Sequence, residues 1–275
     1  MLRIGWFATG RGEGSQRLLR AAVEAIRDRS LDAQIAFVFC NREQGQAPAT
    51  DVFLDQVRAY GIPLVTLSDR RFRRERGGEI ARAGGPLPAW RTEFDRAVVE
   101  ILEPFPYDLG MLAGYYLIST APLYESHPLL NLHPAAPGQP AGTWQEVTWK
   151  LIEQRAEHGG VRVHLVTGEL DAGAIATYCT YPLRGGTIDA LWRDAEARSI
   201  TEIQEAEGEE NALFREIRRR GSARELPLAV ETLRAFADGR LRLEDGHIMA
   251  GETKVVGGYD LTPEIERSLA NAALT

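Results

Sequence analysis

The chain has 275 residues, of which 44% are hydrophobic and 26% are charged, as in globular proteins that bury a sizeable core. Its net charge of −7 at pH 7 argues against a nucleic-acid partner bound through phosphates. Cys40 and Cys179 are too few and too far apart for a disulfide framework or a metal set. No apolar run is long enough for a signal peptide or a membrane span, so we expect a cytoplasmic protein with no membrane partner.

The first 67 residues alternate short apolar runs with amphipathic segments. Strands are predicted over residues 2–9, 33–40 and 62–67, and helices over 15–30 and 50–61, with Ser15 and Thr50 as N-caps. This β-α-β-α-β alternation indicates a parallel, doubly wound sheet. Residues 69–88 are rich in Arg and Gly without periodicity, and we interpret them as a solvated loop or mobile insertion, with a phosphate-binding basic patch as the alternative.

The pattern continues to about Pro182 and then becomes mainly helical. A helix with Phe94, Val98, Ile101 and Leu102 on one face is predicted over 89–102. The other predicted elements are strands over 108–114 and 128–133, a helix over 143–154, two strands around a polar turn at 168–173, helices over 187–200, 211–221 and 225–241, an acidic exposed face or loop over 201–211, and short strands within 240–261.

A Gly-rich turn, GRGEGS over residues 10–15, separates the first predicted strand from its helix. Backbone N–H groups at a helix N-terminus attract phosphate, and glycines let it approach. The turn lacks the Gly-Lys-Ser/Thr of a P-loop and the spacing of a dinucleotide-binding fingerprint. A tight turn that only needs glycines is the alternative, and the carboxylate of Glu13 would repel a phosphate.

The strand over 128–133 ends with two polar residues, Asn131 and His133, which point to the same face because strand side chains alternate. In open α/β sheets, ligands bind at the carboxyl ends of strands. Together with Asp171, an imidazole for proton transfer and an amide for an oxyanion suit acyl-type transfer without an enzyme nucleophile. A capping Asn and a structural His are the alternative. The other four histidines have no metal-ligand spacing, so no metal is expected.

Five segments of the sequence together resemble one family, the folate-dependent formyltransferases. LLNLHP (129–134) and HGGVRVHLVTGELDAGAI (158–175) resemble the shared core, which carries N-x-H-P and later D-x-G. FATGRGEGSQRLLRA (7–21) resembles the Gly-rich opening, and DLGMLAGYYLIS (108–119) resembles a strand followed by a folate-contacting turn. The opening and the ending, FADGRLRLEDG (236–246), are most similar to the branch of the family that serves purine synthesis.

The resemblance implies a fold, a reaction and a set of site residues. The implied fold is one Rossmann-like, doubly wound, mostly parallel domain over 1–275, with a phosphate half (about 1–105), a catalytic and folate half (about 106–185) and a helical and terminal-strand segment (about 186–275). The implied reaction moves a formyl group from 10-formyltetrahydrofolate to the amine of glycinamide ribonucleotide. The implied catalytic residues are Asn131, His133 and Asp171; the phosphate-binding residues are Gly12, Glu13, Gly14 and Ser15; the substrate-binding residue is Glu225; and the folate-binding residues are Tyr116, Leu117, Ile118, Val166, Thr167, Gly168, Glu169 and Leu170.

The sequence also departs from the family, and alternatives stay open. HPAAPGQPAG (133–142) lacks the Ser and the Leu pair that usually follow the His-Pro, and Glu13 and Gln16 stand where Asn is usual. The acceptor could instead be an amino sugar nucleotide or methionyl-tRNA, and a non-catalytic folate- or nucleotide-binding relative is a third hypothesis. The sequence does not determine the oligomeric state, and a homodimer is kept as an option.

Overall fold

Apolar runs rich in aromatic and β-branched residues form the parallel strands that the sequence predicts near the N-terminus. The computed structural model describes residues 1–80 and 85–272, which divide by their internal contacts into two units. The first unit comprises Met1–Asn131, Leu165–Gly173 and Phe236–Gly239, and the second comprises the remaining described residues.

The first unit alternates strands and helices in chain order. Its elements are β1 (Leu2–Ala8), α1 (Glu13–Arg27), β2 (Ala33–Cys40), α2 (Pro48–Ala59), β3 (Leu64–Thr66), α3 (Asp69–Glu75), α4 (Trp90–Leu102), β4 (Leu109–Leu112), α5 (Ala121–Ser126) and β5 (Leu129–His133), whose last two residues belong to the second unit. The strand order is β3-β2-β1-β4-β5, and each neighbouring pair is parallel. The carboxyl ends of these strands therefore lie along one edge, the edge where ligands bind in such sheets.

Aromatic side chains fill the core of the first unit. Phe7 pairs in register with Phe39 on the neighbouring strand, and its ring meets that of Phe37 edge to face at 5.6 Å. The ring of Phe37 meets that of Tyr107 in the same way at 5.1 Å. Gly5 is needed between them, because a Cβ there would lie 2.7 Å from the Phe37 ring. This close packing of aromatic rings ties β1 and β2 to the residues that precede β4.

The second unit is built from a strand pair and long helices. Its elements are α6 (Trp144–Glu153), β6 (His158–Leu165), β7 (Ile175–Pro182), α7 (Ile188–Glu196), α8 (Ile200–Ala206), a 3₁₀ turn (Gly208–Glu210), α9 (Ala212–Ala237), β8 (Arg242–Glu244), β9 (His247–Ala250), β10 (Thr253–Lys254), β11 (Tyr259–Asp260) and α10 (Thr262–Ala272). The last residue of β6 and the last two residues of α9 belong to the first unit. Strand β6 is antiparallel to β7, β11 is parallel to β7, and β8, β9 and β10 form an antiparallel sheet. The predicted mostly parallel, Rossmann-like sheet with helical C-terminal additions is thus confirmed.

The predicted loop over 69–88 is wrong in its first part, because residues Asp69–Glu75 form helix α3. Ser68 caps this helix by accepting a hydrogen bond from the Arg71 N–H at 3.2 Å. Phe72 is its one buried residue, and its ring meets that of Phe94 edge to face at 5.2 Å. A single apolar anchor in an Arg-rich segment has no periodicity, so the sequence pattern does not reveal the helix. Residues 81–84 of the segment lie outside the described residues.

The two helices predicted over 211–221 and 225–241 are one helix, α9, which continues through Gly221 and Pro227. Gly221 is a packing residue and not a helix end: a Cβ there would lie 2.8 Å from the hydroxyl of Tyr181. The acidic stretch over 201–211 is also largely helical, since α8 buries Ile203 and is capped by a Ser199–Glu202 capping box.

Several helix boundaries also differ from the predictions. Helix α1 begins at Glu13 with Gly12 before it, so Ser15 lies in the first turn and is not the N-cap. Helix α2 begins at Pro48, a residue favoured at the first helical position, and this leaves Thr50 buried inside the helix. The helix predicted over 187–200 ends at Glu196, and helices α5 and α10 were not predicted. Within the described ranges, no helix is both long and apolar enough to cross a membrane.

Candidate active site

The Gly-rich turn places an uncapped helix N-terminus at the carboxyl end of β1. The residue before α1, Gly12, is extended and makes no side-chain capping bond. The first N–H groups of a helix have no partner within it, so those of Glu13, Gly14 and Ser15 are available to an anion. A Cβ at Gly12 or at Gly14 would meet no atom within 4 Å, which leaves open space over this turn. Glu13 is exposed and pairs with no arginine among the described residues.

Thr9, just before this turn, connects it to the end of β4. Its N–H donates to the Gly114 carbonyl at 3.0 Å, and its hydroxyl accepts from the Tyr116 N–H at 2.9 Å. The buried hydroxyl of Ser15 also faces Gly114, which has a φ of +72° and where a Cβ would lie 2.5 Å from the Ser15 oxygen. The Gly-rich turn and the segment after β4 are therefore joined by the two hydrogen bonds of Thr9 and by the close packing of the Ser15 hydroxyl against Gly114.

The segment after β4 exposes apolar side chains. Tyr116 is 64% exposed and Ile118 is 48% exposed, whereas Leu117 packs on the aromatic core. The guanidinium of Arg11 lies 4.6 Å from the centre of the Tyr116 ring. An exposed apolar surface beside a cation suits a flat aromatic ligand with an acidic group.

The polar turn after β6 carries Asp171 and also belongs to the first unit. It starts beside β5, where the Val166 N–H donates to the Leu129 carbonyl at 2.8 Å. Asp171 has a φ of +56°, a conformation that non-Gly residues adopt rarely and that occurs more often at functional sites. Gly173 is required, since a Cβ there would lie 1.8 Å from the Leu165 carbonyl oxygen.

Four other residues of this turn are predicted to bind folate, and all of them are exposed: Thr167, Gly168, Glu169 and Leu170. Leu170 is 65% exposed, and a Cβ at Gly168 would lie 2.9 Å from the hydroxyl of Tyr124. This turn thus presents a further exposed apolar side chain in the first unit, and its backbone at Gly168 lies close to α5.

Asn131 is the last β5 residue in the first unit. It pairs in register with Leu112, the last residue of β4, and is partly exposed. Because β1, β4 and β5 are parallel, Asn131 lies at the same edge of the sheet as the N-terminus of α1. A side-chain amide and free backbone N–H groups, placed along one edge, can bind two negatively charged centres of a reacting pair.

His133 and Glu225 lie in the second unit. His133 is 3% exposed, and its ring centre lies 6.2 Å from that of His164, with the two rings nearly perpendicular. Glu225, on α9, is engaged by the guanidinium of Arg218, which also lies 4.9 Å from the Trp144 ring centre. The predicted substrate-binding carboxylate is therefore already paired with a cation, whose guanidinium in turn contacts an aromatic ring.

Sequence reasoning missed three contributors to these surfaces. Arg11 covers Tyr116, Arg218 engages Glu225, and a buried pair on α4, Arg91 and Asp95, contacts the segment after β4. The α4 pair was detectable, because residues 91, 95, 98 and 102 recur at helical spacing on the face that buries Val98 and Leu102.

Comparison with known proteins agrees with this architecture. A formyl transferase family model matches residues 3–183. The phosphoribosylglycinamide formyltransferase of Escherichia coli (strain K12) is 26% identical over 238 residues, covering 85% of this chain and 87% of that protein. The trifunctional purine biosynthetic protein adenosine-3 of Homo sapiens is 27% identical over 183 residues, 66% of this chain, and the match spans only 16% of that longer protein.

A solved structure gives the same result. The crystal structure of glycinamide ribonucleotide transformylase 1 from Symbiobacterium toebii superposes with a TM-score of 0.61 and 25% identity, covering 91% of this chain and 94% of that one. Since the family model spans well over half of the sequence, the chain belongs to the formyl transferase family.

Proposed function

We propose that this protein transfers a formyl group from 10-formyltetrahydrofolate to the primary amine of glycinamide ribonucleotide, a step of purine biosynthesis. Family membership supports the reaction type, and the names of the relatives from Escherichia coli and Symbiobacterium toebii support the acceptor. The observation that carries the proposal is the shared edge of the first unit, where the uncapped N-terminus of α1 and the amide of Asn131 both lie.

The acceptor is a single phosphate ester that carries an amine. Its phosphate would accept hydrogen bonds from the backbone N–H groups of Glu13, Gly14 and Ser15, which also gain from the helix dipole. Glu225 would accept hydrogen bonds from its ribose or amide end.

The co-substrate is a flat pteridine that bears an aminobenzoyl group and a carboxylate tail. The exposed side chains of Tyr116, Ile118 and Leu170 provide apolar surface for such rings. Leu117, Val166, Thr167, Gly168 and Glu169 complete the two proposed folate-binding segments. All of these residues belong to the first unit, as do the Gly-rich turn, Asn131 and Asp171.

In the proposed mechanism the acceptor amine attacks the formyl carbon, and a new C–N bond forms as a tetrahedral oxyanion develops. Asn131 and protonated His133 would stabilise that oxyanion by donating hydrogen bonds. The bond from carbon to N10 of the folate then breaks, and the proton lost by the amine passes to N10, with His133 as carrier. Asp171 would favour the charged imidazole or order a water in the proton path. The products are formylglycinamide ribonucleotide and tetrahydrofolate.

An acceptor screen tests this proposal. The protein is mixed with 10-formyltetrahydrofolate and each candidate amine, and release of tetrahydrofolate is followed. We expect turnover with glycinamide ribonucleotide and none with an amino sugar nucleotide or methionyl-tRNA. Turnover only with one of the latter would overturn the acceptor assignment, and folate binding without turnover on any acceptor would favour a non-catalytic relative.

A further inference from the structure

Helix α4 carries a buried ion pair directly beneath the exposed segment after β4. Arg91 is 2% exposed and Asp95 is fully buried, and the Arg91 Nη2 lies 3.7 Å from the Asp95 Oδ1. The rings of Trp90 and Phe94 flank the guanidinium at 5.1 Å and 5.4 Å. The pair belongs entirely to the first unit.

Both members of the pair direct their hydrogen bonds to one short segment. Arg91 Nη2 donates to the Ile118 carbonyl at 2.7 Å. The Asp95 Oδ2 accepts from the Thr120 N–H at 2.6 Å and from the Thr120 hydroxyl at 2.8 Å. Their side-chain hydrogen bonds to described residues all go to this segment, whose start is held by the bond from the Tyr116 N–H to Thr9.

The burial of this pair has an energetic cost that packing alone does not explain. Removing two charges from water is costly, and apolar residues of similar volume usually stabilise a core at least as well. Meanwhile the segment they hold exposes Tyr116 and Ile118. The pair therefore fixes the backbone at Ile118 and Thr120, within the segment whose exposed side chains form the proposed folate surface.

We propose that Arg91 and Asp95 are positioning residues for the formyl donor: through Ile118 and Thr120 they hold Tyr116–Thr120 in the shape that receives the folate. This inference rests on the proposed function only for the identity of the ligand. The pair acts through the segment, because its hydrogen bonds from α4 end on the segment's backbone and on Thr120.

Two variants separate positioning from stability. The double variant Arg91→Met with Asp95→Leu replaces the pair by apolar side chains, so thermal stability should equal or exceed that of the wild type, while all three bonds to the segment are lost. Its KM for 10-formyltetrahydrofolate should rise roughly 10- to 100-fold, the usual result of a misplaced binding element. Its KM for glycinamide ribonucleotide should change little.

For Asp95→Asn we expect the reverse effects on stability and on the folate KM. It keeps an acceptor oxygen for Thr120 but leaves the buried Arg91 without its charge partner, so stability should fall while the folate KM stays near the wild-type value. Tyr115→Phe is the matched control: it removes a buried hydroxyl of the same region that has no hydrogen-bond partner among the described residues, so the folate KM should stay unchanged and stability should not fall.

Two measurements independent of turnover complete the test. Hydrogen exchange at the amides of residues 116–120 should speed up in the double variant and not in Asp95→Asn. Calorimetric binding of tetrahydrofolate should weaken by the same factor as the KM changes. A stable double variant with wild-type folate KM and exchange rates overturns the inference, as does a folate KM that simply follows stability across both variants.

These measurements also distinguish the two proposals. If the wild type binds tetrahydrofolate but does not formylate glycinamide ribonucleotide, the proposed acceptor fails while the binding and exchange comparison still decides the role of the pair. If the wild type does not bind tetrahydrofolate, the positioning role is overturned together with the proposed co-substrate.

Discussion

Gly14→Val is expected to weaken binding of the phosphate-bearing substrate without disturbing the fold. A Cβ at Gly14 would meet no atom within 4 Å, and Gly14 does not adopt a left-handed conformation, so the protein itself offers no reason for a structural cost. Gly14 is the second residue of α1, among the N–H groups that no side chain caps. A branched side chain here would occupy the space that a phosphate needs.

The expected rise in KM follows from the hydrogen bonds that the phosphate would lose. A hydrogen bond to a charged group contributes about 1.5–3 kcal/mol, so losing one should raise the KM for glycinamide ribonucleotide roughly 10- to 100-fold. The folate KM should change little. Steady-state kinetics with each substrate varied in turn, on a variant with wild-type melting temperature, measures both. An unchanged ribonucleotide KM would refute the assignment of this turn to phosphate.

Gly10→Ala is the matched structural control. Gly10 has a φ of +65°, and a Cβ there would lie 3.0 Å from the Phe53 ring, so this change should lower stability by about 1–3 kcal/mol through strain and overpacking. The two substitutions in the same turn therefore have different expected effects: Gly14→Val weakens substrate binding, and Gly10→Ala lowers the stability of the fold.

Three substitutions and one labelling experiment test the remaining assignments. His133→Ala should lower kcat roughly 10²- to 10⁴-fold with tetrahydrofolate binding retained, and near-normal turnover would remove His133 from the mechanism. Glu225→Gln should raise the KM for glycinamide ribonucleotide about tenfold with little effect on the folate KM; equal effects on both would point to a general role of the Arg218 ion pair. Gly173→Ala should cost about 1–3 kcal/mol in urea unfolding, because its Cβ would lie 1.8 Å from a backbone carbonyl, and a wild-type midpoint would contradict this close contact. Burial raises the pKa of Cys40 to about 11 and of Cys179 to about 12, so both should stay protonated and resist a thiol reagent at pH 8 until urea is added; rapid labelling of the folded protein would show that they are accessible.

Local patterns were sufficient to predict the strands and the family. Runs such as residues 33–40 and 129–133 are apolar, short and bounded by turn residues. These properties are local and do not depend on contacts with distant residues. The motif residues Asn131 and Asp171 could be placed at a strand end and in a turn for the same reason.

The missed features depend on contacts between residues distant in sequence. The sequence pattern predicts a helix end at Gly221. In the structure the helix continues through this residue, where a glycine allows a close contact with the hydroxyl of Tyr181, forty positions earlier. The pairing of Arg218 with Glu225 inside one helix was not anticipated, because the predicted helix break at Gly221 put them on separate elements. Spacing alone also cannot show that Asp95 bonds to Thr120, because the two are separated by β4.

The binding surfaces proposed for the two substrates share one backbone framework in the first unit. Thr9 bonds to Gly114 and Tyr116, the Ser15 hydroxyl packs on Gly114, and the Arg11 guanidinium covers the Tyr116 ring. The turn proposed for phosphate and the segment proposed for folate are therefore held by the same few contacts, and neither can shift far without the other. For two substrates that must react atom to atom, a shared rigid frame fixes the distance between them before either binds, which lowers the entropic cost of bringing them together. A glycine is needed at the centre of this frame, because Gly114 has a φ of +72° and a Cβ there would lie 2.5 Å from the Ser15 hydroxyl oxygen.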